Sequence, residues 1–66
     1  MSKAKALLEI HEVADRLEAW SEAESSCVDV CVQHKDWDGK EQHSNRCENY
    51  RVLVLKLRQC ISDLKP

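Results

Sequence analysis

The chain has 66 residues, with 10 Lys and Arg against 12 Asp and Glu, a net charge of −2, one glycine and one proline. A chain this short forms one small domain with a marginal core, the kind that a metal, disulfides or a partner subunit commonly completes. The scarcity of glycine and proline excludes a turn-rich β fold, and the abundance of alanine, leucine, glutamate and lysine favours helix.

The opening stretch MSKAKALLEIHEVADRLE is broken by charges every few residues. It reads as neither a signal peptide nor a membrane span, so the expected location is cytoplasmic. In a reducing compartment, four cysteines suggest metal binding or plain burial more than a disulfide framework.

A first helix is expected over about residues 3–34. Ile10, Val13, Leu17, Trp20, Glu24, Cys27, Cys31 and His34 follow alternating steps of three and four, the pattern of a heptad seam. This helix is acidic, carrying Glu9, Glu12, Asp15, Glu18, Glu22, Glu24 and Asp29. A loop is expected at about 35–38, within KDWDG. Asp38 and Glu41 have the spacing of a capping box, which starts a second helix over about 39–64. His43, Cys47, Tyr50, Val54, Leu57, Ile61 and Leu64 form its seam, and Arg46, Arg51, Lys56, Arg58 and Lys65 make it basic. The stretch YRVLVLKL also alternates like an edge strand, but it is continuous with the helical seam.

The expected fold is all-α, a single antiparallel two-helix hairpin. With the loop centred near Trp37, paired residue numbers share a constant sum of about 74. Trp20 then meets Val54, Leu17 meets Leu57, and Glu24 meets Tyr50 in a hydrogen bond that fixes register. Glu18 lies level with Lys56 and Glu9 with Lys65, surface pairs that select orientation more than they stabilise.

One hairpin leaves apolar surface uncovered. Val52 and Leu55 fall opposite the seam, Leu53, Cys60, Leu7, Ala14 and Val28 flank it, and Trp37 sits in the loop. Several large aliphatics left in water favour dimerisation into a two-fold four-helix bundle, or a groove for another protein. Trp37, Val52, Leu55, Leu53 and Val28 are the expected partner or dimer interface.

In the same register Cys27 and Cys31, one turn apart, face His43 and Cys47, one turn apart. Four converging ligands match structural zinc, and a longer loop would bring in His34 instead. Two other readings of the cluster stand beside a zinc staple: small buried seam thiols, or a Cys27–Cys47 disulfide. There is no phosphate-binding glycine loop, nucleophile turn or paired carboxylate set, so no enzymatic activity is expected. The leading expectation is a protein-protein interaction module that binds a larger protein as an adaptor, inhibitor or regulator, built as a homodimer. A nucleic-acid-binding regulator using Arg46, Arg51 and Arg58 is the first alternative, and a metal or redox sensor the second.

Overall fold

The computed structural model describes residues 2–64 and holds two helices, α1 (Lys3–Gln33) and α2 (Trp37–Leu64), packed along their lengths. Ser2 starts α1, its hydroxyl accepting the Lys5 amide at 3.1 Å. The stretch YRVLVLKL lies inside α2, so the strand alternative is not realised. No helix among the described residues is long and apolar enough to cross a membrane.

The turn occupies only His34, Lys35 and Asp36, shorter and earlier than 35–38. Lys35 adopts a left-handed backbone, φ 57°, at the place where helices often use glycine. Its amide donates to the Val32 carbonyl at 3.1 Å, and the Asp36 amide to the Cys31 carbonyl at 2.8 Å. Together these two bonds make a Schellman closure of α1. Asp36 then caps α2. Its carboxylate accepts the Gly39 amide at 3.0 Å, and its carbonyl accepts the Lys40 amide at 3.0 Å. The cap is therefore Asp36, not Asp38, and the capping box with Glu41 is not formed. Gly39 leaves room for this cap, because a Cβ would sit 2.9 Å from Asp36 Cγ and 3.1 Å from Cys31 Sγ and would push those side chains aside.

Centring the turn on Lys35 changes the register. Ser21 lies against Cys47, and Trp20 against Tyr50, instead of Cys27 against Cys47 and Trp20 against Val54. The helices have slid by roughly 6–9 Å, more than one turn, from the expected pairing. Glu24 meets His43 rather than Tyr50, while the long Arg58 side chain reaches back along the rod to Glu18, the residue expected level with Lys56. The Glu9–Lys65 pair involves a residue outside those described.

α1 is also rotated about its axis. The buried residues are Ala14 and Ser21 on α1, and Cys47, Val54 and Ile61 on α2. Leu7, Ala14, Ser21 and Val28 repeat every seven residues and alternate with Ile10, Leu17, Glu24 and Cys31 to form the seam, all eight buried or half-buried. Val13, Trp20, Cys27 and His34, expected in the seam, are exposed. Small residues account for this. With Ala14 and Ser21 facing α2, the Cys47 sulfur reaches the Ser21 main-chain carbonyl at 3.3 Å, a closeness that valine and tryptophan would prevent.

The result is a rod with extents of 49 × 15 × 13 Å and a radius of gyration of 15.2 Å. A compact chain of this length has a radius of about 11 Å. Its accessible surface is 5080 Å², against about 4,300 Å² for a typical monomer of this mass.

Candidate functional site

The helices do not bring the four expected zinc ligands together. Cys47 is buried, its thiol donating to Ser21 across the seam. His43 turns its Nδ1 to the Glu24 carboxylate, whose other oxygen lies 3.9 Å from Arg46 Nη1. Cys31 sits at the turn with Sγ 4.0 Å from Asp36 Oδ2, and Cys27 is exposed. Partial burial raises the Cys31 thiol above its ordinary value, and the Asp36 carboxylate and the Cys27 sulfur push it the same way. His34, the alternative ligand, is an exposed helix-end residue. Among the described residues no three His, Cys, Asp or Glu side chains are grouped to hold a metal ion. The sliding of the helices is the cause, since it takes Cys47 from the level of Cys27 to that of Ser21 and His43 from the level of Cys31 to that of Glu24. All four cysteines are free thiols.

Two basic residues of α2, Arg46 and Arg58, are engaged with α1. Arg58 pairs with Glu18 and lies 3.8 Å from Asp15, and Arg46 lies beside Glu24. Arg51 lines open grooves with Glu22 and Glu48. Cations paired in this way are poorly placed to neutralise a run of phosphates.

What the hairpin presents instead is two unlike long sides. On one, Trp20 packs its ring against Tyr50 with centroids 5.9 Å apart, and Ala6, Ile10, Val13 and Leu57 line a shallow groove with Glu9. Leu53 and Cys60 repeat at seven-residue spacing from Arg46, which places them on this same side. Val13 is 46% exposed, Trp20 49% and Leu53 46%. The apolar strip runs from Ala6 to Trp20, about 21 Å of helix, and ends at the Glu24–His43–Arg46 cluster. Charges along this side are balanced in sign: Glu9 and Glu24 against Arg16 and Arg46.

The other side is acidic and grooved. Asp15, Glu18, Glu22 and Glu48 outnumber Arg51 and Arg58, and its grooves reach down to Ser21, Val28, Cys47 and Val54. Leu8 on α1, and Val52 with Leu55 on α2, stand there as separate apolar patches rather than a strip.

The expected interface residues divide accordingly. Leu53 belongs to the apolar side. Val28 is half-buried in the seam instead of flanking it, while Val52 and Leu55 point outward from α2. Trp37 is exposed and is the first residue of α2, not a loop residue. Val13 and Trp20 fall outside the interface expected from sequence because their spacing places them in the seam. The signal that could have corrected this is the seven-residue repeat Leu7, Ala14, Ser21, Val28, which runs beside the bulkier stripe. Comparison with protein-family models, curated proteins and solved structures finds no match to this chain.

Proposed function

We propose that this chain is a small protein-protein interaction module, a helical hairpin that completes its core by packing against another helical surface. Its simplest assembled form is a homodimer arranged as a four-helix bundle, and the same surface suits docking onto a larger protein that it regulates. The observation that carries the reading is the apolar strip around Trp20 on a hairpin whose buried residues are Ala14, Ser21, Cys47, Val54 and Ile61. So small a core stabilises a free monomer weakly, and covering exposed Val, Leu and Trp side chains is worth roughly 1.5–3 kcal/mol for each one fully buried. The ion pairs that occupy Arg46 and Arg58 count against nucleic acid as the partner.

Thermal unfolding over a hundredfold range of protein concentration tests this reading, with native mass spectrometry on the same samples. A module that folds with its partner copy melts at higher temperature as concentration rises. A monomer whose melting temperature is high and independent of concentration would count against it.

A further inference from the structure

We infer that the side bearing Val13, Trp20, Tyr50, Leu53 and Cys60 is the surface on which a second copy of this chain docks, face to face. The inference rests on the interaction-module reading and names the surface and its occupant. Three observations select that occupant. First, the charges bordering this side are balanced in sign, so two copies of it meet without net repulsion, whereas the acidic opposite side would repel itself. Second, the molecule has the dimensions for it. Faces 49 Å long and 15 Å wide bury about 1,500 Å² in total when stacked, within the range of stable specific interfaces. Third, the surface in excess of a compact monomer lies on an open two-helix layer, and stacking a second such layer closes it into a bundle.

The side differs from the one that counting away from the seam suggests. Val52 and Leu55 are exposed, and Leu55 at 69% is more exposed than any residue of the strip. Leu55 has Val54 and Val52 beside it, but Glu18, Glu22 and Arg51 enclose this patch, and it does not extend along α1 as the strip around Trp20 does. Contiguity rather than single-residue exposure marks an interface.

Sedimentation equilibrium at tens of micromolar tests the inference on three chains: wild type, the pair Val13→Glu with Leu53→Glu, and the pair Val52→Glu with Leu55→Glu. The expected result is a dimer for wild type and for the Val52/Leu55 pair, and at least a hundredfold weaker association for the Val13/Leu53 pair. A second measurement avoids any change to the face. In Trp37→Phe the emission reports Trp20 alone, and it should shift to the blue and resist acrylamide quenching as concentration rises. A dimer in which Trp20 stays as quenchable as in the dilute sample overturns the choice of face and leaves the module reading standing. So does a dimer broken only by the Val52/Leu55 pair. A wild type that is monomeric throughout, with unchanged Trp20 emission, overturns the second copy as occupant. If its melting temperature is also high and concentration-independent, the module reading falls with it.

Discussion

The Cys47 thiol donates to the main-chain carbonyl of Ser21 at 3.3 Å, which brings a side chain of α2 onto the backbone of α1. The Ser21 hydroxyl is turned to its own helix, donating to the Glu18 carbonyl at 2.7 Å, and among the described residues no buried side-chain oxygen or nitrogen lacks a partner. Size at position 21 therefore governs how closely the helices approach. Ser21→Ala should change stability by less than about 1 kcal/mol, whereas Ser21→Leu should cost about 1–3 kcal/mol through overpacking. Urea unfolding measures both. Equal tolerance of alanine and leucine would mean that Ser21 does not face α2.

The turn makes a prediction of unusual sign. Asp36→Ala removes the cap of α2 and should cost about 1 kcal/mol, with Asp38→Ala costing only a few tenths. Gly39→Ala ordinarily gains about 1 kcal/mol inside a helix. Here the new methyl displaces the Asp36 carboxylate from the Gly39 amide and forfeits that gain. In an Asp36→Ala background only the Cys31 sulfur at 3.1 Å still crowds the new methyl, so Gly39→Ala should there be more favourable than in the wild type. A double-mutant cycle that shows simple additivity rules this coupling out.

The left-handed Lys35 offers a simple improvement. Lys35→Gly relieves the steric cost of that backbone, and should raise stability by up to about 1 kcal/mol despite the entropy of glycine in the unfolded chain. A lower urea midpoint for the variant would contradict the observed turn.

Thiol reactivity should follow position. Cys27 is exposed, Cys31 is held protonated to higher pH by its surroundings, and Cys47 is buried. Alkylation at pH 8 should modify Cys27 faster than Cys31, and Cys47 slowest, since the thiolate is the reacting form. Asp36→Asn removes one of the influences raising Cys31 and should speed its reaction. Linkage has a defined sign here. A folded-state value above the unfolded one makes a contribution present at neutral pH that fades as pH rises through the raised value.

Because the four expected zinc ligands are held apart, a chelator should leave the melting temperature unchanged. Cys47→Ser should lower it with or without chelator, by disturbing the seam at a buried position. Zinc addition that raises the melting temperature of wild type, and not of Cys27→Ser, would show that the chain gathers these ligands in another register.

The second helix was legible in sequence and the first only in half. In α2 a single apolar stripe runs the length of the helix, with Val52, Leu53, Leu55 and Cys60 outside it, so the stripe of Cys47, Val54 and Ile61 is the one that periodicity selects. In α1 two stripes share Ile10, Leu17, Glu24 and Cys31 and differ in their companions. Hydrophobicity prefers Val13 and Trp20, whereas close helix approach prefers Ala14 and Ser21, and periodicity is blind to that difference. The cap misled for a related reason. Asp36 and Asp38 are chemically equal candidates, and Glu41 favours the wrong one. A lysine in the left-handed region leaves no mark in sequence. A cap at Asp38 in place of Asp36 moves the turn toward Trp37, and that is the register in which Cys27, Cys31, His43 and Cys47 converge.

The seven-residue count does not carry through the turn. Continued from Val28 and Cys31, it would reach Lys35, Asp38, Gln42, Asn45 and Asn49, all polar, while the seam of α2 lies on His43, Cys47, Tyr50 and Val54. Were the turn to straighten into one unbroken helix, its two apolar stripes would emerge on nearly opposite sides of the rod. No single neighbouring helix could cover both. The phase jump thus penalises the domain-swapped, uninterrupted form that short hinges in hairpins otherwise invite, independently of the hydrogen bonds that close the turn.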